Sequence, residues 1–369
     1  AHPGTASYPA QLGKLLGPGY QVTNYGVSST TLLKKGDFPY WSTKEYRAAL
    51  ASEPDIVLID LGGNDSKLVN RVHLNEYEKD YREMIGAFRA LPSHPRIILL
   101  QPIVSFVKDT TQIWDPVIKA QILPKVRQVA YDENVELINL NSLLIDKPAL
   151  MPDGIHPNLA GTTMIAKTLY ESLYPVRDTG FHLINKLPAT PGISSFYGYR
   201  CADFQFNGRD CKVVAPKFAA AGHPWIWRAR FWGHEPQTDI ALLERGYHVV
   251  YCDVAELFGN KEAISLWNSF YALLHKNGLS PKAVMEGMSR GAVYVYNWAA
   301  VNPRKVAAVY VDNPVMDLCS WPGSKFKKQM SNRSEWEVFK KDYGFTDDSA
   351  ALKFKGSPLY KVKAIVKGK

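Results

Sequence analysis

The sequence predicts a two-domain α/β protein. Short, almost continuously apolar runs alternate with amphipathic stretches along most of the chain, which is typical of parallel strands covered by helices on both faces. At 369 residues, the chain also exceeds what one hydrophobic core usually organises. We therefore expect a first domain over residues 1–180, a linker over 181–200 and a second domain over 201–369.

In the first domain, apolar runs predict buried strands, and each strand is followed by a stretch with the helical spacing of apolar residues. The predicted strands are 56–61, 97–103 and 135–140. The predicted helices are 77–91, 119–131 and 159–173. A very short additional strand is expected just before Asn24.

The second domain repeats this alternation after an irregular stretch. Residues 174–194 contain three prolines and no sustained periodicity, which indicates a linker or boundary loop near Pro188. The predicted strands are 211–214, 225–231, 248–254, 283–288 and 306–311. The predicted helices are 238–244, 263–274 and 293–300.

Composition narrows the classes of function. The net charge is +9, but Lys and Arg are mixed with acidic residues along the chain, which indicates a solvated basic surface and no nucleic-acid partner. No apolar run reaches the roughly 18 residues needed to span a bilayer, and the first residues lack the features of a signal peptide. The four cysteines have neither Cys-x-x-Cys spacing nor a nearby histidine pair, so no metal site is expected. Cys201 and Cys211 either pair across a hairpin or remain free buried thiols.

Three polar blocks in the first domain follow predicted strands, where side chains converge in an α/β sheet. They are NYGVS at 24–28, GGND at 62–65 and DGIHP at 153–157. His156 is a candidate base, and Asp153 is spaced to fix its tautomer. The amide of Gly26 and the side chain of Asn64 are candidate donors to an oxyanion. Each block alone is equally typical of a turn or helix cap, so the prediction depends on their combination.

Over residues 5–173 these blocks resemble the SGNH/GDSL hydrolase family. The resemblance implies a three-layer α/β/α fold and ester hydrolysis without a metal or cofactor. It makes His156 the base, Asp153 its partner, and Gly26 and Asn64 the oxyanion donors. The family's Gly-Asp-Ser block, which holds the nucleophile, is lacking from this sequence. Residues 2–16 resemble the stretch that follows that block, so we expect the block to precede Thr5 and this domain to be incomplete.

A second constellation is the Gly-Met-Ser-Arg-Gly motif at 287–291, between a predicted strand and a predicted helix. This is the context of a nucleophile elbow, in which Ser289 is the nucleophile and the amide of Arg290 is an oxyanion donor. From about residue 204 onward the chain resembles the α/β-hydrolase superfamily, especially prolyl-oligopeptidase-like esterases. The resemblance makes Trp232 and Gly233 candidates for the second donor.

The acid and histidine of that superfamily follow two later strands, and the sequence ends before them, so the second domain is also expected to be incomplete. Asp253 and Asp312 lie at predicted strand ends, where they are expected to cap turns. His234 is expected to be a loop residue or to face the substrate.

The sequence therefore predicts a serine esterase with a His base and an Asp orienter, acting on small-molecule or carbohydrate esters, most reasonably as a carbohydrate deacetylase. This arrangement resembles bacterial polysaccharide-degrading esterases, which are secreted or periplasmic. The alternative is a catalytically degenerate carbohydrate-binding or scaffold protein. Trp225, Trp227 and Trp232 either stack on sugars or belong to a core. We expect the 369-residue chain to hydrolyse activated esters poorly.

Overall fold

The computed structural model describes residues 6–188 and 190–367. Contacts within this part of the chain define two compact units. The N-terminal unit runs to Val176 and includes Tyr197–Tyr199. The C-terminal unit comprises Arg177–Phe196 and continues from Arg200. Most of the predicted linker is therefore grouped with the C-terminal unit.

The N-terminal unit contains a parallel three-stranded sheet in the order β1-β2-β3. Its strands are β1 (Ile56–Ile59), β2 (Arg96–Leu100) and β3 (Glu136–Ile138). Its helices are α1 (Tyr8–Leu16), α2 (Lys44–Ala51), α3 (Leu68–Arg71), α4 (Tyr77–Arg89), α5 (Asp115–Val117), α6 (Leu123–Asp132), α7 (Leu140–Leu144) and α8 (Leu159–Leu173). Single turns of 3₁₀-helix lie at Tyr40–Ser42, Asn64–Ser66 and Pro148–Leu150, and a π-helical turn lies at Ile118–Ile122.

The alternation of side chains along β2 explains why this sheet has helices on both faces. Ile98 and Leu100 lie in a core shared with α1 and α8. Ile97 and Leu99 lie in a separate core shared with α4 and α6. Because successive side chains of a strand point to opposite faces, a continuously apolar strand buries both. The predicted α/β fold with a parallel sheet is confirmed for this unit.

The strand expected before Asn24 is wrong. Residues 20–27 are not assigned to any strand, and among the described residues no neighbouring strand forms a ladder with them. A short extended segment becomes a strand only when a partner satisfies its backbone groups.

The C-terminal unit is built on a seven-stranded sheet. A separate small sheet pairs β4 (Arg177–Asp178) with β8 (Ala219–Ala220). The strands of the large sheet are β5 (Gly192–Phe196), β6 (Tyr199–Phe206), β7 (Arg209–Val214), β9 (Trp225–Arg228), β10 (His248–Cys252), β11 (Ala283–Met288) and β12 (Val306–Asp312). The helices of this unit are α9 (Gln237–Glu244), α10 (Lys261–Lys276), α11 (Gly291–Val301), α12 (Arg333–Tyr343), α13 (Asp348–Leu352) and α14 (Val362–Lys367). Turns of 3₁₀-helix lie at Leu183–Lys186, Ala255–Leu257, Pro303–Lys305 and Pro358–Tyr360.

The strand order in the large sheet is β12-β11-β9-β10-β7-β6-β5. β9 pairs in parallel with β10 and β11, and β11 pairs in parallel with β12. β7 is antiparallel to β10 and to β6. The sheet is therefore parallel at one side and antiparallel at the other.

Tryptophans fill the core of the C-terminal unit. Trp225 and Trp227 on β9 are fully buried. The ring of Trp227 lies 4.4 Å from that of Trp267 and 5.4 Å from that of Trp298. The idea that Trp225 and Trp227 stack on sugars is thus wrong, because neither ring reaches solvent.

All four cysteines are free and buried. Cys211 on β7 lies opposite Cys252 on β10. In the β6–β7 hairpin, Cys211 faces Phe204, whereas Cys201 faces Val214. The register of the hairpin therefore excludes the bridge between Cys201 and Cys211.

A buried ionic cluster joins β9, α9 and β11. The Arg228 side chain is 2% exposed, and its guanidinium contacts Asp239 at 2.5 Å and Glu286 at 3.5 Å. Arg228 also donates to the carbonyl oxygens of Phe231 and His234 in the loop after β9. Burial raises the pKa of Glu286, and the nearby Asp239 carboxylate raises it further. One cation thus lies between two carboxyl groups in the interior.

Candidate active site

Asp153 and His156 form a hydrogen-bonded pair in the loop before α8. The Nδ1 atom of His156 lies 2.7 Å from Oδ2 of Asp153. The other carboxylate oxygen accepts from the backbone amides of His156 at 2.7 Å and Ile155 at 2.9 Å. Gly154, with φ of 79°, allows the tight loop. These bonds from His156 and Ile155 hold the pKa of Asp153 well below its ordinary value, so the carboxylate is ionised at neutral pH.

This pair is accessible to a ligand. The side chains of His156 and Asp153 are 52% and 56% exposed. The ionised carboxylate of Asp153 can only accept the hydrogen bond that it shares with Nδ1. A neutral His156 imidazole therefore carries its proton on Nδ1. Nε2 then carries the lone pair, and no described residue forms a hydrogen bond with it. The imidazole is thus arranged to act as a base.

The two predicted oxyanion donors of the N-terminal unit are hydrogen-bonded internally. Asn64 begins the turn Asn64–Ser66, and its Nδ2 donates to the carbonyl oxygen of Thr30 at 3.1 Å. The amide of Gly26 donates to Oδ1 of Asn24 at 2.9 Å. Buried Asp65 accepts from two amides of the loop that contains Thr30, those of Leu32 and Leu33. Asn64 and the Gly26 loop are therefore held together.

The loop after β2, residues 101–114, contacts both parts of this site. The amide of Phe106 donates to the carbonyl oxygen of Gly154 at 2.8 Å. The amide of Trp114 donates to the hydroxyl of Ser66 at 3.0 Å. This loop therefore contacts both the Asp153–His156 loop and the Asn64 turn.

In the C-terminal unit, Ser289 lies at the turn between β11 and α11. Its φ is 48°, in the left-handed region that is uncommon for non-glycine residues. Its amide donates to the carbonyl oxygen of Asp312 at 2.9 Å, and its carbonyl oxygen accepts from the amide of Val315 at 3.0 Å. Among the described residues, no histidine or carboxylate is hydrogen-bonded to its hydroxyl. The serine thus lies in the tight turn between strand and helix, and no base is hydrogen-bonded to it within residues 6–188 and 190–367.

Arg290 directly precedes the first residue of α11. Backbone amides at the start of a helix have no hydrogen-bond acceptor within the helix. The Arg290 amide is therefore available to an oxyanion at Ser289. Its guanidinium is fixed elsewhere by an ion pair with Glu335 and a position 4.3 Å from the ring centre of Phe258. Burial lowers the pKa of Arg290 to about 10.

The loop after β9 is the predicted source of a second donor. The ring of Trp232 packs against Phe196 at 5.0 Å and Tyr251 at 5.5 Å. Arg230 lies closer to the elbow, since its amide nitrogen would be 3.8 Å from a Cβ built on Gly291. Sequence reasoning missed Arg230 because the predicted strand 225–231 included it, whereas β9 ends at Arg228.

Replacing Gly287 with alanine is expected to destabilise the C-terminal unit by about 1–3 kcal/mol. A Cβ at this position would lie 2.8 Å from the amide nitrogen and 2.9 Å from the Cα of Ala292, and backbone cannot move aside cheaply. The measurement is urea-induced unfolding followed by tryptophan fluorescence.

Gly291→Ala is the matched control, because its Cβ would meet only ordinary contacts of 3.5–3.8 Å. We expect its free energy of unfolding to stay within about 0.5 kcal/mol of the parent. Equal losses from both variants would contradict the geometry of the elbow.

Residues 6–188 and 190–367 lack two other features, a cluster of metal ligands and a helix able to span a membrane. No group of three or more His, Cys, Asp or Glu side chains there could hold a metal ion. No helix in this part of the chain combines the length and apolar character that crossing a bilayer requires.

The first half of the chain is similar in sequence to known hydrolases. The GDSL-like Lipase/Acylhydrolase family matches residues 1–163. An acetylxylan esterase of Xylanibacter ruminicola is 39% identical over 180 residues, which is 44% of this chain and 37% of that protein. The chain thus spans well under half the length of the curated relative that it matches.

Solved structures are similar over the same share of the chain. An acetyl xylan esterase is 18% identical with a TM-score of 0.39, covering 46% of this chain and 92% of the other. A carbohydrate acetylesterase family member from Sinorhizobium meliloti is 18% identical with a TM-score of 0.38, covering 46% and 85%. On the family match, residues 1–163 constitute a GDSL-like lipase/acylhydrolase domain.

Proposed function

We propose that this protein hydrolyses carboxylic esters and removes acetyl groups from carbohydrate. The observation that carries the proposal is the 2.7 Å hydrogen bond between Asp153 and His156, which leaves an exposed imidazole nitrogen free. A histidine oriented by an ionised carboxylate is the base that serine hydrolases use. The family match of the surrounding domain supports the same chemistry.

In this mechanism, Nε2 of His156 removes the proton of a serine hydroxyl, as in the family's Gly-Asp-Ser block, while the serine oxygen bonds to the acyl carbon. The imidazolium gives that proton to the leaving alcohol as the ester bond breaks. Water activated by the same imidazole then releases the acid from the acyl-enzyme and restores the serine. Asp153 holds the imidazole in the required tautomer and stabilises the imidazolium. Asn64 and the amide of Gly26 donate to the tetrahedral oxyanion. Both groups must first exchange their present acceptors, Thr30 and Asn24, for the substrate oxygen.

The C-terminal unit is proposed to be an α/β-hydrolase-like domain with Ser289 as its nucleophile. Its strand order, with parallel strands on one side and β7 antiparallel, supports this proposal, as does the positive φ of Ser289 in the turn before α11. Arg290 would supply one oxyanion amide. The loop after β9, with Arg230, Trp232 and Gly233, would supply the other.

Acetylated carbohydrate is proposed as the substrate because the 39% identical relative is named an acetylxylan esterase. The degenerate carbohydrate-binding or scaffold protein stays as the second candidate. It is favoured by the internal acceptors that occupy Asn64 and Gly26 and by the lack of a base at Ser289 among the described residues.

The test is acetate release from an acetylated xylo-oligosaccharide, measured for the 369-residue chain and for the product of its natural gene. We expect release by the natural gene product and its loss in His156→Ala. The variant Ser289→Ala measures the share that the C-terminal unit contributes. Absence of acetate release, or release unchanged in both variants, would favour the scaffold protein.

A further inference from the structure

A solvent-open cleft lies beside the Asn64 turn in the N-terminal unit. Its volume is about 460 Å³, within the range of ligand-binding clefts. It is lined by Asp37, Lys67, Leu68, Val69, Thr111 and Gln112. Three of these residues follow Asn64–Ser66 directly in the sequence, and two come from the loop after β2.

The walls of this cleft are held in place by backbone and side-chain bonds. The amide of Leu68 donates to the carbonyl oxygen of Thr111 at 3.1 Å. Asn70 bonds Asp37 twice, accepting from its amide at 2.7 Å and donating to its carboxylate at 2.9 Å. Groups that are already fixed lose little conformational entropy when a ligand binds, so binding in this cleft would carry a small ordering cost.

The lining combines an apolar surface with polar groups and no net charge. Leu68 and Val69 are exposed by 51% and 59%, although they lie next to each other in α3. Asp37 and Lys67 form an ion pair at 3.6 Å, so their charges offset one another. The side-chain amide of Gln112 adds neutral donors and an acceptor, whereas the hydroxyl of Thr111 donates to Asp109 at 2.7 Å. Carbon-bound hydrogens on a sugar face suit the apolar surface, and sugar hydroxyls suit the polar groups.

The same loop that lines this cleft also contacts the Asp153–His156 loop, through the bond from Phe106 to Gly154. Lys67, Leu68 and Val69 follow the Asn64 turn directly, so a ligand in the cleft would lie beside that turn.

We propose that this cleft binds the neutral oligosaccharide portion of the ester substrate. The proposal rests on the proposed deacetylation of carbohydrate and extends it to a named binding surface. Because Lys67 is already paired with Asp37, the lining offers no unpaired cation to the carboxylates of a uronic acid chain, and this favours a neutral chain.

The experiment is isothermal titration calorimetry of the protein with xylohexaose, a neutral oligosaccharide without ester groups. We expect saturable binding, and Val69→Asp should raise Kd by about tenfold through loss of apolar contact and an added negative charge. Val72→Asp is the matched control, because Val72 lies outside the lining and is 68% exposed. Its Kd should stay within about twofold of the parent.

Gln112→Ala is a second variant in the other wall, and it should also weaken binding. Failure of the parent to bind xylohexaose, or equal effects of Val69→Asp and Val72→Asp, would overturn the cleft proposal. Because the readout is binding without turnover, it is separate from the acetate assay. Binding without any acetate release would remove the proposed function and leave the cleft in place.

Discussion

Replacing His156 with alanine is expected to lower kcat/KM for p-nitrophenyl acetate by about 10⁴-fold in the product of the natural gene. Without the imidazole, no group of the Asp153 loop can take the proton of the attacking hydroxyl, because Asp153 is held ionised and far less basic than imidazole. Binding and oxyanion contacts would sustain only residual turnover. The measurement is p-nitrophenolate release at neutral pH.

His182→Ala is the control, since His182 is exposed and lies outside the site. It should leave turnover within about twofold of the parent. Added imidazole should restore part of the activity of His156→Ala, because a free base can enter the space of the missing ring, and a misfolded site would not respond. Full activity in His156→Ala would show that His156 is not the base.

Replacing Arg228 with methionine is expected to lower the free energy of unfolding of the C-terminal unit by about 3–5 kcal/mol. The change keeps the volume of the side chain but removes the cation between Asp239 and Glu286, which are 0% and 7% exposed. It also removes the donor to the carbonyl oxygens of Phe231 and His234. Urea-induced unfolding, followed by tryptophan fluorescence, measures the loss.

Arg333→Met is the control, because Arg333 is 61% exposed and pairs with Glu337 at the surface. Arg333→Met should lower the free energy of unfolding by less than about 1 kcal/mol.

The loss of unfolding free energy in Arg228→Met should also grow with pH. Folding raises the pKa of Glu286 above its unfolded value of 4.5. Such a carboxyl contributes its full stability below the unfolded pKa, and this contribution is lost as the pH rises through the pKa of the folded protein. A loss under about 1 kcal/mol, independent of pH, would contradict this account.

The strands of the N-terminal unit could be predicted from sequence because β1, β2 and β3 are apolar enough to be buried on both faces. The residues at which these strands end could not be predicted. The predicted strand 97–103 stops at Leu100 in the structure, and Gln101 starts the loop that reaches Gly154 and Ser66. An apolar sequence does not reveal where a chain leaves the ladder to form a site.

The Asp153–His156 pair could be predicted because its members lie three residues apart, within one loop. Arg228 and Glu286 lie 58 residues apart, and they meet because the register of β9 with β11 sets them side by side. The cleft beside the Asn64 turn likewise depends on the docking of α3 against the loop after β2. Such pairings depend on tertiary packing, which no local spacing encodes.

The buried cysteines have a practical consequence for studies of how this protein unfolds. All four lie in the C-terminal unit, and residues 1–176 contain none. Burial raises the pKa of Cys201 to about 11, and alkylating reagents attack thiolates that solvent can reach. The rate of alkylation therefore reports the opening of the C-terminal unit. Peptide mass spectrometry of partly alkylated protein would then separate its unfolding from that of the GDSL-like domain without any engineered label.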